Sequence, residues 1–347
     1  MARTLVAGGC GLFGAAVAQR LLEQGEEVVA CDHLADTGDG RHVKEWRADR
    51  LKERGAVFVR VDLSVPEALW PVFADNRPAA IVNAALFAPD GPGVRPLATV
   101  ARMAGIGFLV HLSDAALYGP PPQPGQRARE DEPLGEPTDP TLKLRKDEEA
   151  FLAEAGLPYA ILRIFPLLGS GFPPGRFPGR DLETLLSGDE IVLEDDEPRD
   201  FVPIDDAARA VQLALRTRPA GAILNVGSGL EVRPSDVLQA LAVRCGHPLR
   251  LRVEEGPRPV YRVADTVAAW ERLQFATQHG IGDVVEAIAA DRFSAETTTS
   301  RPRRPAPEPA AERAAEPSEP PRAVSRRELF GVFRRPFSKT PPFGPGR

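Results

Sequence analysis

At 347 residues, 43% of them apolar and 27% charged, the chain is long enough for one large α/β domain with a smaller lobe, and it can bury a core without metals or disulfides. A net charge of -6 argues against general affinity for nucleic acid or anionic membrane. Cys10, Cys31 and Cys245 are the only cysteines; they are widely spaced, without a CxxC pair or a nearby His pair, so no disulfide framework or metal site is expected and the setting reads as cytoplasmic.

The text MARTLVAGGCG enters a strand and a glycine turn at once, which leaves no room for a signal peptide, and no apolar run approaches the roughly 18 residues of a spanning helix. In chain order the pattern predicts a strand over 4–7, a helix over 12–24, a strand over 27–31, a helix over 43–53 and a strand over 56–61. Strands over 80–83, 107–112 and 159–164 and a helix over 144–154 continue the rhythm. This repeating βα order predicts an α/β fold, a Rossmann doubly wound parallel sheet with helices on both faces, over residues 1–165. GSGFPPGRFPG, from Gly169 to Gly179, marks a crossing into a smaller C-terminal substrate lobe, residues 166–293, some of whose segments return to the sheet. Within it the pattern predicts a helix over 205–215, a strand over 222–226 and a helix over 234–244. Residues 294–324 are dominated by Pro, Ala, Glu and Arg, a composition expected to stay a disordered linker.

Gly8, Gly11 and Gly14 form G-x-x-G-x-x-G between the first strand and the first helix. There, backbone N–H groups and the positive helix end meet a pyrophosphate, and a side chain would hold it away. A tight turn with close helix packing is the plainer role for such glycines. Asp32 ends the second strand roughly twenty residues on, where a carboxylate accepts from both ribose hydroxyls and repels the extra phosphate of NADP. Together these features predict an NAD site.

Nearly end to end as far as Arg292, the text also resembles the extended short-chain dehydrogenase/reductase family, which includes the NAD-dependent nucleotide-sugar epimerases and dehydratases. AGGCGLFG, with Leu12 and Phe13 inside it, resembles the family's TGGAGFIG; VDL, Val61 to Leu63, resembles the strand end whose Asp, here Asp62, contacts adenine beside Leu63. VNAA stands where the family has HLAA beside the cofactor, which places Ala84 and Ala85 there. ALYG from Ala116, LPYAILR from Leu157, RDFVPIDDAARA from Arg199 and NVGSG from Asn225 complete the set. The resemblance implies NAD as cofactor, a nucleotide-sugar-like small molecule as substrate, and a homodimer built on two helices of the sheet.

In that family a Tyr and a Lys four residues later share one helix face, the Lys lowering the Tyr pKa while hydride moves to nicotinamide, and a Ser or Thr holds the same substrate oxygen. Here Tyr118, Tyr159 and Tyr261 are followed at plus four by Pro122, Arg163 and Asp265, so Y-x-x-x-K is absent. Counting along the resemblance places the family's Tyr, Lys and Ser at Thr141, Arg145 and Asp114, with Ser113 one residue early and Lys143 or Lys146 one slip away. Thr is not deprotonated near neutral pH and Arg keeps its proton. Pro166 stands where the family has a substrate-contacting Asn, and residues 87–107 look shortened. Arg199 matches the residue the family turns toward the substrate's diphosphate; a salt bridge with Asp200 or Asp205 is its plainer role. Two functions stay open: an epimerase or dehydrogenase with an unusual base, Asp114 or His111, and a non-catalytic NAD-binding sensor or scaffold.

Past the linker, Ser325 and Glu328 stand at capping-box spacing before Leu329, Phe330, Val332 and Phe333, with Arg326, Arg327, Arg334, Arg335 and Lys339 around them. This basic-aromatic motif over 325–347 reads either as a docking peptide for a protein partner or as a disordered end with chance apolar residues; a short helix resting on an anionic membrane is a third reading.

Overall fold

A computed structural model of the chain describes residues 3–299 except 36–39, 124, 174 and 257–258; the tail motif over 325–347 and most of the expected linker lie outside the described residues. The first half runs β1 (Arg3–Ala7), α1 (Leu12–Glu23), β2 (Glu27–Asp32), α2 (Arg41–Glu53), β3 (Val57–Arg60), α3 (Pro66–Asn76), β4 (Ala80–Asn83), α4 (Arg95–Met103), β5 (Leu109–Asp114), α5 (Pro140–Glu154) and β6 (Tyr159–Ile164). There follow β7 (Leu167–Leu168), α6 (Gly179–Ser187), β8 (Ile191–Leu193), β9 (Val202–Pro203), α7 (Ile204–Thr217) and β10 (Ala222–Val226). The chain continues through α8 (Pro234–Cys245), β11 (Leu251–Val253), α9 (Val267–Leu273) and α10 (Ile281–Thr299).

Seven strands form one sheet in the order β10-β6-β5-β4-β1-β2-β3, and each neighbouring pair is parallel. Alternation along each strand feeds two cores: on β1, Val6 joins one apolar cluster with Val17 and Leu21 of α1 and Val211 of α7, while Leu5 and Ala7 join the other with Leu69 of α3 and Leu97 of α4. Helices therefore cover both faces, as a fully apolar parallel strand requires. The strand order reverses at β1, and such a switch point opens a ligand crevice at the carboxyl ends of the strands.

Several element boundaries differ from the sequence expectation. The sheet takes in the expected strand over 222–226 as a returning segment: β10 pairs with β6 from Ala222↔Ala160 to Val226↔Ile164, and α7 belongs to the core of the main sheet. Residues 204–226 thus return to the first layer, and the smaller lobe keeps its own core of Leu182, Leu193, Leu238, Leu241, Val285 and Ile288. Helix α5 starts at Pro140, earlier than the apolar pattern implied, because Asp139 accepts from the Thr141 and Leu142 amides and Pro140 fits the first helical position. β5 runs on to Asp114, its last two residues paired with Arg163 and Ile164 of β6. Helix α10 continues to Thr299, into the compositional linker. None of the described helices is long and apolar enough to cross a membrane.

Candidate active site

Gly8 has φ +73, and a Cβ there would lie 2.6 Å from the Ala85 Cα; a Cβ on Gly14 would lie 2.1 Å from the Gly8 carbonyl oxygen. Both glycines are therefore required by close backbone approach, which brings the start of α1 against the end of β4. Gly11 is the N-cap of α1 and offers no side-chain cap, so the helix start presents main-chain donors and its positive dipole end to the crevice. Asp32 closes β2 with a buried carboxylate: Oδ2 accepts from the Cys10 amide at 3.1 Å and Oδ1 from the Leu34 amide at 2.8 Å. One acidic side chain thus joins the glycine turn to the end of the second strand. Arg47 of α2, which sequence reasoning missed, donates to the carbonyls of Cys10 (3.3 Å) and Gly171 (3.0 Å). Burial pushes the Cys10 and Cys31 thiols up to about 12, so neither is a thiolate near neutral pH.

Further along the crevice, Asp62 accepts from the Ser64 hydroxyl at 2.6 Å and the Ser64 amide at 2.9 Å, bonds that hold its carboxyl below the usual range, and Leu63 beside it is buried. The Ala84 amide donates to the Ala7 carbonyl, and the Ala85 amide reaches Asn83 Oδ1 at 3.3 Å. Together the glycine turn, Asp32, Asp62, Leu63, Ala84 and Ala85 line the carboxyl ends of β1 through β4, the side of the sheet on which a dinucleotide lies in this fold. The uncapped amino end of α1 suits a pyrophosphate, and the acidic end of β2 suits a ribose diol.

At the end of β5, Ser113 and Asp114 point to opposite sides, as successive strand residues must. Ser113 turns inward and donates to Glu149 Oε1 at 2.5 Å. Asp114 turns out: Oδ1 accepts from the Ala116 amide at 2.8 Å. Its carboxylate is solvent-accessible in the open crevice yet closely walled by protein, and desolvation raises its pKa above the usual carboxylate range, partly opposed by the Ala116 amide and Arg145. Thr141 lies in the first turn of α5, where its amide is capped by Asp139. Arg145, one turn on, is buried; Nη2 donates to the Ala85 carbonyl at 2.7 Å and Nη1 to Glu148 Oε2 at 2.8 Å. Lys146 turns instead to the Gly135 carbonyl and Glu136, and Lys143 is exposed. Arg145 is the α5 cation facing the β4 end.

Behind this wall lies a buried polar layer whose members Glu148 and Glu149 sequence reasoning missed. Arg145, Glu148, Glu149 and Leu152 are the buried residues of α5, spaced at helical intervals on one face; that inward charged stripe is the signal by which they were legible. Glu149 forms an ion pair with Arg163 of β6, Nη2 to Oε2 at 2.8 Å and Nε to Oε1 at 3.2 Å. Arg163 also donates to the Tyr118 hydroxyl at 2.9 Å, and that hydroxyl donates to Asn225 Oδ1 at 2.7 Å. Burial raises the Tyr118 phenol to about 12, against the lowering effect of Arg163. His111 on β5 is fully buried: Nδ1 stands 3.0 Å from Asn83 Nδ2, so it accepts and Nε2 carries the hydrogen. Burial, with Arg145 nearby, holds the His111 pKa well below its ordinary value.

Arg199 pairs with Asp195 at 2.6 Å, not with Asp200 or Asp205, and its guanidinium stacks 4.1 Å over the Tyr261 ring, whose hydroxyl donates to Asp195 Oδ2. Asp200 cannot serve because it is fully buried, accepting from the amides of Ser228, Gly229 and Ala264 and from the Ser228 hydroxyl. Among the described residues, no group of three His, Cys, Asp or Glu side chains is placed to hold a metal ion.

Comparison with known proteins places this architecture. A UDP-glucose 4-epimerase of Mycolicibacterium smegmatis is 28% identical over 316 residues, 82% of this chain and 97% of that protein. The crystal structure of a Thermus thermophilus UDP-glucose 4-epimerase in complex with NAD superposes with a TM-score of 0.70 at 25% identity, covering 84% of this chain and 99% of the other. A UDP-glucose-4-epimerase from Stenotrophomonas maltophila with bound NAD and formylated UDP-arabinopyranose shares the fold, with a TM-score of 0.74, 21% identity and coverage of 86% and 100%. Residues 4–227, from the first strand to the glycine after the last strand of the sheet, match the profile of one family, and the chain therefore belongs to the NAD dependent epimerase/dehydratase family.

Proposed function

We propose that this chain holds NAD(H) on its glycine turn and beside it a nucleotide-sugar-like ligand, in a crevice that lacks the phenol implied by the family resemblance for proton transfer. Gly8, Gly11, Leu12, Phe13 and Gly14 would present the main chain to the pyrophosphate, Asp32 the acceptor for the adenosine ribose, Asp62 and Leu63 the adenine end, and Ala84 and Ala85 the nicotinamide end. Arg199 is the side chain assigned to the second ligand. When bound, the dinucleotide supplies a hydride acceptor.

One observation carries the reading: all three tyrosines are committed away from Arg145. The Tyr118 hydroxyl is held by Asn225 and Arg163, and that of Tyr261 by Asp195. Tyr159 opens β6, opposite Leu109 at the start of β5, so it sits at the amino end of the sheet, away from the crevice. Thr141 and Arg145 do not replace a Tyr and Lys pair in proton transfer, since one proton leaves only far above neutral pH and the other stays. General acid-base assistance is worth roughly 100- to 10,000-fold, or about 3 to 5 kcal/mol of barrier, so hydride transfer without it would be very slow. The reading is tested by product analysis after incubation with NAD and UDP-, GDP- and dTDP-sugars; no epimerised or dehydrated sugar is expected, and a product formed at an enzymatic rate would refute it.

The elevated carboxyl of Asp114 favours a second reading, in which that carboxylate takes the proton of a substrate hydroxyl. In that case turnover occurs with the unmodified protein and is lost in Asp114→Asn.

A further inference from the structure

Arg199 already carries a counter-anion from its own chain. The turn after β8 reads Glu194, Asp195, Asp196, Glu197, Pro198, Arg199. Asp195 Oδ1 accepts from the Glu197 amide at 3.0 Å, the two-residue reach by which an Asp closes a turn, and from Arg199 Nη2 at 2.6 Å. Its Oδ2 accepts from the Tyr261 hydroxyl at 2.9 Å, and the Tyr261 ring stacks 4.1 Å from the guanidinium. The main chain of Arg199 exchanges both its hydrogen bonds with Val232, each at 3.0 Å. The pair is thus built into the turn, yet it is reached from solvent: 21% of the Arg199 side chain and 16% of Asp195 are exposed. Partial burial works against the charge on Asp195, but the Glu197 amide, Arg199 and the Tyr261 hydroxyl outweigh it and hold the carboxyl below the usual range.

A guanidinium with its fork open takes a phosphate through two parallel hydrogen bonds. Here one arm of the fork is spent on Asp195 and the charge is offset at contact distance. An incoming phosphate meets the carboxylate as a like charge and has to take its place on Nη2, so much of what it gains from Arg199 is lost in parting the pair. We propose that Asp195 is a specificity-determining residue of the second ligand's site, an internal competitor for Arg199 that favours ligands presenting an uncharged group there over those presenting a diphosphate. The proposal rests on the assignment of Arg199 to the second ligand made above.

The test is titration calorimetry of the full chain in the presence of NAD, with uridine and UDP as probes. Asp195→Asn keeps an acceptor for the Glu197 amide and removes the charge. With the charge-assisted bonds of Arg199 released to the ligand, UDP is expected to bind about tenfold more tightly or better than to the unmodified protein, while uridine is unchanged. Adding Arg199→Gln to Asp195→Asn is expected to erase the gain. Tyr261→Phe, which keeps the ring and removes one donor from Asp195, is expected to move UDP affinity in the same direction by a smaller factor, and it serves if Asp195→Asn lowers the unfolding midpoint. No gain for UDP in either variant, an equal gain for uridine, or a gain that survives Arg199→Gln would overturn the proposal. Only affinities are read, so the outcome is independent of whether hydride moves to the dinucleotide.

Discussion

Asp32 ties the glycine turn to the end of β2, and in the proposed site it would also set specificity. Its two oxygens are occupied by the Cys10 and Leu34 amides, which fix the carboxylate where a 2′-phosphate would bring like charge against it. NAD(H) is expected to bind more tightly than NADP(H) in titration calorimetry, and Asp32→Ala to narrow the ratio; equal affinities in the unmodified protein would remove this role. The glycines are equally constrained: Gly14→Ala drives a methyl into the Gly8 carbonyl, and dinucleotide binding is expected to fall below detection while circular dichroism still reports a folded chain. His111 carries a prediction in pH. Its folded pKa is depressed below the ordinary 6.5, so under mildly acidic conditions the unfolded state binds more protons than the native one and stability falls as pH drops below about 6.5. Denaturant midpoints measured between about pH 5 and 7 should decline on the acid side, and His111→Gln should flatten that decline; an unchanged slope would show that His111 is not its source.

Helix α5 joins the crevice wall to the sheet by charge as much as by apolar contact. Glu149 and Arg163 are 5% and 3% exposed, and removing one partner of such a pair typically costs about 3–5 kcal/mol because the other stays buried and uncompensated. Glu149→Ala is expected to lower the unfolding free energy by that amount in denaturant titration, and a loss within about 0.5 kcal/mol, the usual range of a surface substitution, would contradict the ion-pair account. The strand-turn-helix unit from Arg3 to Asp32 was legible in the sequence because local rules determine it: strand alternation, glycines at a close approach, an acidic strand end. Asp114, the last residue of β5, lies two residues past the strand expected over 107–112. Less legible were features fixed by distant partners. That the returning β10 chooses β6 as its partner, and that Arg199 chooses Asp195 with Tyr261 stacked against it, depends on how a Pro- and Gly-rich segment folds back, which no local pattern records. The inward faces of Glu148 and Glu149 fall between these cases, since their helical spacing with Arg145 and Leu152 was visible but the buried partner of Glu149 on β6 was not.

At the scale of the molecule, a sheet of family architecture carries a crevice beside which stand Arg145 and Asp114. The basic-aromatic motif from Ser325 to Arg347 is a separate proposal: deleting it is expected to leave fold and NAD binding intact while abolishing capture of a protein partner, and a pull-down that cannot distinguish full-length from truncated chain would retire the docking role. The central claim is that NAD is held without phenol-dependent proton transfer. It is tested most directly by nicotinamide absorbance: the protein is loaded with NAD, mixed with UDP-, GDP- and dTDP-sugars in turn, and followed for reduction of the bound dinucleotide. The account predicts that the NAD stays oxidised, and that Thr141→Tyr, Arg145→Lys and Asp114→Ser together restore at most a trace of reduction. Rapid reduction by the unmodified protein, abolished by Asp114→Asn, would contradict it.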